Sequence, residues 1–241
     1  MTSPSARRVG RLLFALGVAV IPEPAHADWV VAAYLGAAHT ATAPLTVTQP
    51  AVGTDITFIS VPYAGQSLDS PLYYGYRLTF FPRDDSWFGV EAEFIHLKAY
   101  AETTARTRGA GRHHGAAIDG EMRIDAVLDR FSISHGLNFL VFNAVARCRV
   151  GPRMFLAARA GAGPTVPHAE STIDGVDREG YEWGSLGIHA AGGIGIRAWR
   201  GLAVLAEYKF TRTRQTASVD RGEARGRFLS HHGVFGIAWH F

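Results

Sequence analysis

The sequence predicts an all-β protein, an eight-stranded antiparallel β-barrel that crosses the outer membrane with short periplasmic turns and long extracellular loops. Three observations predict it: apolar and polar side chains alternate along eight segments, the connectors between these segments alternate in length, and the chain ends on an alternating strand with a C-terminal aromatic residue. The aromatic fraction of 11% and the charged fraction of only 19% exclude a disordered chain.

The first 27 residues have the three regions of a secretory signal peptide: basic residues, an apolar stretch over residues 12–21, and a small-x-small cleavage site that ends at Ala27. The apolar stretch is too short for a membrane-spanning helix, which needs about 20 residues. Removing the three arginines and one glutamate of this leader lowers the formal net charge from +3 to +1, so the charge does not indicate a nucleic-acid partner. We expect Sec export, cleavage near Ala27, and a single barrel domain over residues 28–241 in the outer membrane of a Gram-negative bacterium.

Eight segments of the mature chain alternate between apolar and polar side chains. In order they are Trp29–His39, Leu72–Phe81, Trp87–Lys98, Ser132–Arg147, Arg153–Gly163, Glu182–Ala198, Leu202–Arg214 and Arg227–Phe241. Residues 82–86, 148–152 and 199–201 form short connectors, whereas residues 40–71, 99–131, 164–181 and 215–226 form long polar ones. This alternation is typical of an outer-membrane barrel, and an even number of strands leaves both termini in the periplasm.

The last segment carries the strongest pattern. Phe235, Ile237, Trp239 and Phe241 occupy alternate positions, with small or polar residues between them. In lipid, apolar side chains face the hydrocarbon while the backbone groups pair around the closed barrel. A strand that ends on phenylalanine also resembles the signal recognised by the barrel assembly machinery, so we expect that machinery as a partner.

Charged residues of the other segments lie on the face opposite the apolar one, as Arg77 does between Tyr76 and Leu78. Those that we expect to point into the barrel are Arg77, Glu91, Glu93, Arg159, Arg197, Glu207 and Lys209. An eight-stranded barrel is just wide enough for its side chains to fill, and an unpaired buried charge is costly. We therefore expect a lumenal ion-pair network. The segment Ser132–Arg147 is apolar on both faces, so its orientation stays open.

The predicted topology brings several of the 11 histidines to the extracellular end. Our candidates for a catalytic site there are His168, Glu170, His135 and Asn138. Imidazole and carboxylate groups at one rim can bind a divalent or transition metal or transfer protons. No fixed ligand spacing identifies a metal, and for any single histidine an interfacial or packing role is the favoured interpretation.

The predicted external loops are rich in arginine. The residues concerned are Arg106, Arg108, Arg112, Arg123, Arg130, Arg178, Arg221, Arg225 and Arg227. Guanidinium groups bind phosphate in a bidentate manner, and the outer leaflet presents the phosphates of lipid A. Lipopolysaccharide is therefore an expected partner, and simple loop solubility is the alternative explanation.

Several segments resemble the rhizobial lipid A oxidase family. The resemblance rests on Phe131 to Ala144, Gly161 to Glu170, Pro71 to Arg77 and Glu207-Tyr208-Lys209, and it covers roughly residues 70–241. It implies an eight-stranded outer-membrane enzyme that oxidises the proximal glucosamine of lipid A to 2-aminogluconate with dioxygen, with hydrogen peroxide as the expected co-product.

The resemblance assigns no catalytic residue. A proton acceptor for the C1 hydroxyl is needed, and either His168 or Glu170 can serve. The chain has no flavin or haem signature, so a metal held by the histidines and glutamate of the rim is the simplest means of activating oxygen.

Two other functions are compatible with the same barrel. One is a non-catalytic structural or adhesion protein. The other is a lipid A deacylase, which the pairs Ser134-His135 and Ser230-His231 suggest, although the His-x-Ser arrangement of lipid A deacylases is absent. A porin is disfavoured because eight strands leave no open channel. A closed barrel has no free edge that demands a partner, so we expect a monomer.

Overall fold

The computed structural model describes residues 26–241. Most of the expected signal peptide, residues 1–27, lies outside this range. The strands are β1 Asp28–Thr40, β2 Ala43–Gln49, β3 Thr54–Val61, β4 Tyr63–Ala64, β5 Tyr74–Phe81, β6 Phe88–Ala101, β7 Arg106–His113, β8 Ala116–Arg123, β9 Arg130–Arg149, β10 Met154–Ile173, β11 Val176–Tyr181, β12 Leu186–Trp199, β13 Leu202–Val219 and β14 Gly222–His240. Two short 3-10 turns, Pro50–Val52 and Ile124–Ala126, complete the regular structure. Within the described range no helix is both long and apolar enough to cross a membrane.

Eight of these strands form a closed antiparallel barrel. Their order is β1-β5-β6-β9-β10-β12-β13-β14, and β14 pairs back with β1 from Val30 opposite His240 to Thr40 opposite Ser230. These are the eight predicted segments in their predicted order, so the predicted fold class is confirmed. Closure leaves no unpaired strand edge within the barrel, which is the condition for a sheet to cross lipid.

The outer wall carries a belt of exposed apolar side chains. Its larger members are Trp29, Val31, Leu35, Tyr76, Leu78, Phe88, Val90, Leu140, Phe142, Leu156, Ile188, Ile196, Val204, Tyr208, Phe235, Ile237 and Trp239. The orientation of β9, which the sequence left open, is settled: Val141, Asn143 and Val145 point inward, and Leu140 and Phe142 point outward. The large outward residues meet hydrocarbon, whereas the inward positions must fit a narrow lumen.

The long extracellular connectors contain strands of their own that the sequence did not predict. Residues 40–71 and 99–131 form the hairpins β2–β3 and β7–β8, which join one sheet that extends from the upper part of β14. The connector expected over residues 215–226 is a tight turn at Asp220 and Arg221, because β13 and β14 stay paired as far as Val219 and Gly222. These strands were not predicted because their outward faces are polar. An outward face in water does not need the apolar residues that an outward face in lipid needs, so the alternation of apolar and polar residues is weak.

The inward faces of the extracellular strands enclose an apolar core. Leu45, Val47, Ile56 and Phe58 of the β2–β3 hairpin are fully buried, and they belong to one cluster with Phe131 of β9. This core closes the extracellular end of the barrel. A smaller apolar cluster, which includes Val30 and Phe81, fills the periplasmic end.

Between the two apolar layers lies a buried network of charges. Glu207 accepts two hydrogen bonds of 2.7 Å from Arg77 and one of 2.7 Å from Arg159. Lys209 donates to Glu93 at 2.6 Å, and Glu91 lies 3.4 Å from Arg77 Nε. Three cations thus face three carboxylates, and neutral partners satisfy the remaining positions: Tyr34 and Asn143 donate to Glu93, and Thr79 donates to Glu91.

Six of the seven residues expected in the lumenal network are therefore in mutual contact. Arg197 is the exception. Within the described range it forms no ion pair, because it lies near the periplasmic turn beside Arg149 and Arg153, away from the three carboxylates. The residues that sequence reasoning did not include are Tyr34, Thr79, Asn143 and His189, whose Nδ1 lies 3.0 Å from Asn143 Oδ1. The alternation along each strand predicts that these four side chains point inward. It does not predict their partners, because those lie on other strands.

Glu207→Gln is expected to destabilise the barrel strongly. The substitution removes the carboxylate that Arg77 and Arg159 share and leaves three buried cations facing only Glu91 and Glu93. Breaking a buried ion pair costs about 3–5 kcal/mol. Urea unfolding of the folded barrel in detergent measures the loss. Glu121→Gln, on the exposed face of β8, is the matched control and should leave the free energy of unfolding unchanged. Equal stability of the two variants would contradict the stabilising role of the network.

Candidate functional site

A β-bulge in β9 shapes the outer wall at the extracellular rim. Between Leu137 and Ile133, β9 has three residues where β10 has only His168 and β6 has only Lys98. The bulge is possible because Gly136 adopts a φ of +113°, a conformation that glycine reaches most easily. Bulges redirect side chains out of the normal alternation. Here the bulge brings His135 to the outer face, with 58% of its side chain exposed.

His135, His168 and Glu170 meet beside this bulge. His135 Nδ1 lies 3.2 Å from Glu170 Oε1, and His168 Nδ1 lies 3.8 Å from the same oxygen. Among residues 26–241 these three form the one group of His, Cys, Asp or Glu whose ligand atoms all lie within 4.8 Å of one another. His168 and Glu170 share a face because they are two residues apart on β10. We call these three residues the rim cluster.

Neighbouring side chains hold the rim cluster in place. Ser134 Oγ donates a short hydrogen bond to Glu170 and lies 3.0 Å from His135 Nδ1. The ring of His168 packs edge-on against Tyr181 of β11, with centroids 4.5 Å apart. Arg130 lies 3.9 Å from the second oxygen of Glu170. Glu170 and His168 are only 12% and 13% exposed, so the cluster is a shielded recess with His135 at its open side.

The donor set of the rim cluster fits a metal ion. His168 Nδ1 is buried and has no hydrogen-bond partner among the described residues, and a buried polar atom without a partner is costly unless it binds something. Two imidazoles and one carboxylate on one side of an ion are the ligands of non-haem Fe(II) oxygenases, which keep other positions open for substrate and dioxygen. The same donors also accept other first-row divalent metals.

The fourth candidate, Asn138, lies beside the cluster and not within it. Its Oδ1 is 2.9 Å from His96 Nδ1, and its amide nitrogen donates to the carbonyl oxygen of Val166 at 3.0 Å. His96 in turn stacks on Tyr74, with centroids 4.8 Å apart. The hydrogen bonds of Asn138 thus go to His96 and Val166 of the neighbouring strands and not to the rim cluster.

Other histidines of the extracellular half do not form a comparable group. Ser230 and His231 point to opposite faces of β14: Ser230 bonds to Thr40 inside the barrel, and His231 contacts Tyr208 on the outer wall. At the turn between β7 and β8, burial and the adjacent His114 lower the pKa of His113. His114 Nε2 lies 3.6 Å from Asp174. His113 and His114 therefore form a separate pair of imidazoles at this turn.

The rim cluster lies on the outer wall, directly above the apolar belt. On β10 the exposed apolar face begins at Leu156 near the periplasmic turn and continues through Ala158 and Ala160 to Pro164. The rise from Leu156 to His168 over twelve residues is about 30 Å once strand tilt is included. The apolar band of a barrel is about 25 Å tall. The cluster is thus at the level where lipid headgroups meet the extracellular water. The protein is a small β-barrel of the outer membrane.

No family model matches the chain, and no curated protein matches it. Among solved structures, outer membrane protease OmpT from Escherichia coli is similar at 8% identity and a TM-score of 0.48, with 89% of this chain and 97% of that chain covered. Outer membrane protein AlkL has 8% identity and a TM-score of 0.45 over 100% and 97% of the two chains. Neisserial surface protein A has 10% identity and a TM-score of 0.42 over 90% and 99%. Function must therefore be argued from the site of this barrel.

Gly136→Ala is expected to disturb the rim. A Cβ atom there would lie 2.4 Å from His96 Nδ1 and 2.5 Å from Asn138 Oδ1, and the positive φ adds strain, so we expect a loss of about 1–3 kcal/mol. The midpoint of urea unfolding measures this loss. Gly180→Ala on β11, where an added Cβ meets no atom within 4 Å, is the control. An unchanged midpoint for Gly136→Ala would show that the bulge tolerates a side chain.

Proposed function

We propose that this outer-membrane barrel is a metal-dependent oxidase that acts with dioxygen on the proximal glucosamine of lipid A in the outer leaflet. The observation that carries the proposal is the rim cluster: two histidines and a glutamate on the lipid-facing side of the wall, at headgroup level. The segments that hold these residues are also those that resemble the rhizobial lipid A oxidases.

The location of the rim cluster suits a lipid substrate. A glycolipid in the outer leaflet keeps its acyl chains in the membrane, where Leu140 and Phe142 of the outer wall face hydrocarbon. Its sugar then lies next to the residues above them. A water-soluble substrate would gain nothing from a site on this face, whereas a lipid reaches it by diffusion in the plane of the membrane.

The reaction requires the loss of two hydrogens from the sugar. The C1 carbon loses its hydrogen and the C1 hydroxyl loses its proton, so a lactone forms, and dioxygen accepts two electrons and two protons to leave as hydrogen peroxide. Water then opens the lactone to the acid, which makes the lipid heavier by one oxygen atom. A first-row metal held by His135, His168 and Glu170 would supply the redox centre and the oxygen-binding position.

The protein residues have separate tasks in this scheme. Glu170 is the proton acceptor for the C1 hydroxyl, since its Oε2 atom is not engaged by Ser134 or by either histidine. Ser134 fixes the orientation of the carboxylate through its hydrogen bond to Oε1. Tyr181 limits the movement of His168 by ring contact. Orienting partners of this kind raise metal affinity and activity by about 10–100-fold.

The geometry disfavours the deacylase alternative. In a serine hydrolase the base uses one ring nitrogen for the nucleophile and the other for its orienting carboxylate. Here the same atom, His135 Nδ1, faces both Ser134 and Glu170, and Ser134 donates directly to the carboxylate. A non-catalytic structural or adhesion barrel would not need the rim cluster. Mass spectrometry of lipid A distinguishes this alternative from the oxidase.

His168→Ala and Glu170→Gln are each expected to abolish lipid A oxidation, by at least about 100-fold, because removing a ligand costs more than removing its supporting partner. The measurement is mass spectrometry of lipid A from a Gram-negative host that makes lipid A without the 1-phosphate and expresses the barrel, grown with and without air. The wild type should add one oxygen atom only in air.

His114→Ala, at the exposed β7–β8 turn, is the matched control and should oxidise lipid A normally. Folding of each variant is checked by its heat-dependent gel mobility. Unchanged lipid A in the presence of well-folded wild-type barrel would favour the non-catalytic alternative, and lipid A lighter by one acyl chain would favour the deacylase.

Metal exchange distinguishes oxidation from hydrolysis. Purified barrel stripped with a chelator is expected to lose activity and to regain it with Fe(II). Zn²⁺ binds histidine and carboxylate ligands but has no redox chemistry, so it should occupy the site and restore no oxidation. The readouts are the bound metal per chain and the oxidised lipid. Restoration by Zn²⁺ would contradict a redox metal at this site.

A further inference from the structure

The β13–β14 hairpin carries a second polar feature on the outer wall. Four arginines point outward from its extracellular half: Arg212 and Arg214 on β13, and Arg225 and Arg227 on β14. We call them the hairpin arginine patch. All four are exposed, and Arg214 lies directly opposite Arg227 in the register of the two strands.

Cross-strand neighbours of like charge destabilise a sheet, and no carboxylate of the described residues neutralises the pair of Arg214 and Arg227. Within the described range neither Arg214 nor Arg227 has a carboxylate within 4.0 Å, and the same is true of Arg212. Arg225 alone is paired, with Glu223. Three guanidinium groups therefore converge on one face without a counter-charge from the chain.

The β7–β8 hairpin also places two arginines opposite each other, Arg106 and Arg123, but there a carboxylate pairs with one of them. On β7–β8, Arg108 lies 2.7 Å from Asp119, and Arg123 pairs with Asp125. Within the described range Arg106 and Arg112 of that hairpin form no ion pair, so the two hairpins differ in whether the cross-strand arginine pair has a carboxylate beside it. The hairpin arginine patch lacks such partners, which is the pattern expected where an external anion supplies them.

The height of the patch identifies the kind of anion. Arg212 is two residues above Phe210 on the same face of β13, a rise of about 7 Å along the strand. Tyr208 and Phe235 below it belong to the apolar belt. The patch begins where the hydrocarbon ends, at the level of the headgroups of the outer leaflet.

We propose that the hairpin arginine patch binds the phosphate groups of a lipid A molecule in the outer leaflet. Paired guanidinium groups match the geometry of a phosphate and bind it in a bidentate manner. Phosphate between Arg214 and Arg227 replaces their mutual repulsion by two attractive contacts. The proposal does not depend on the oxidase reaction, because the rim cluster lies on β9 and β10, separated from the patch by β12.

The test is the affinity of the full barrel for lipid A in detergent mixed micelles, measured by titration calorimetry. Substitution of Arg212, Arg214 and Arg227 by Gln should weaken binding of bis-phosphorylated lipid A by about tenfold or more, since each charge-assisted hydrogen bond to phosphate is strong. The control replaces Arg106, Arg108 and Arg123 of the β7–β8 hairpin by Gln, which removes the same charge and should change affinity less than about twofold.

Two further arms identify the ligand. Wild-type barrel should bind enzymatically dephosphorylated lipid A as weakly as the patch variant binds the intact lipid, and it should bind phosphatidylglycerol micelles more weakly than lipid A. Equal affinity of wild type and patch variant, or equal affinity for the dephosphorylated lipid, would overturn the proposal. Equal affinity for phosphatidylglycerol would overturn the assignment to lipid A.

The lipid A binding test can succeed or fail independently of the lipid A oxidation test. His168→Ala should retain lipid A affinity while failing to oxidise it. Loss of binding in the patch variant together with normal oxidation by that variant would support the patch and leave the rim cluster unaffected.

Discussion

Closure of an eight-stranded barrel through the pairing of β1 with β14 is the constraint on which the rest of this structure depends. It satisfies the backbone in lipid, and it also makes the lumen so narrow that side chains must fill it. An apolar core closes one end, a smaller one closes the other, and a compact set of charges occupies the middle. Chemistry on a substrate therefore has no room inside.

The charged lumen illustrates how a titratable cluster can be purely structural. Glu207 is saturated by Arg77, Arg159 and Lys209, and Glu93 by Lys209, Tyr34 and Asn143. The three carboxylates all have partners, and apolar side chains separate them from both ends of the barrel. The rim cluster differs in its access, since His135 is open to the outside whereas the lumenal groups are buried.

The barrel could be predicted from the sequence because successive residues of each strand face lipid and lumen in turn. The lipid-facing positions are apolar, as at Tyr76, whereas the lumenal positions include charged residues, as at Arg77. The extracellular strands β2, β3, β7 and β8 could not be predicted, since outward residues such as Arg106 and Arg108 of β7 face water and leave no apolar alternation to detect. For the rim, the sequence placed His168 and Glu170 together at the extracellular end but in a connector, whereas they lie on one face of β10. The approach of His135 could not be predicted, because it depends on a bulge at Gly136 that changes the register against two neighbouring strands.

The outer wall of this barrel is therefore not uniform around its circumference. In a closed barrel of eight strands, the two steps from β10 to β13 turn the wall by a quarter of a circle. A lipid held by Arg214 and Arg227 consequently faces a different sector of the membrane from one whose sugar lies at His168. The proposed phosphate site and the proposed oxidase site are therefore separate features of the wall, and a substitution in one leaves the strands that carry the other unchanged.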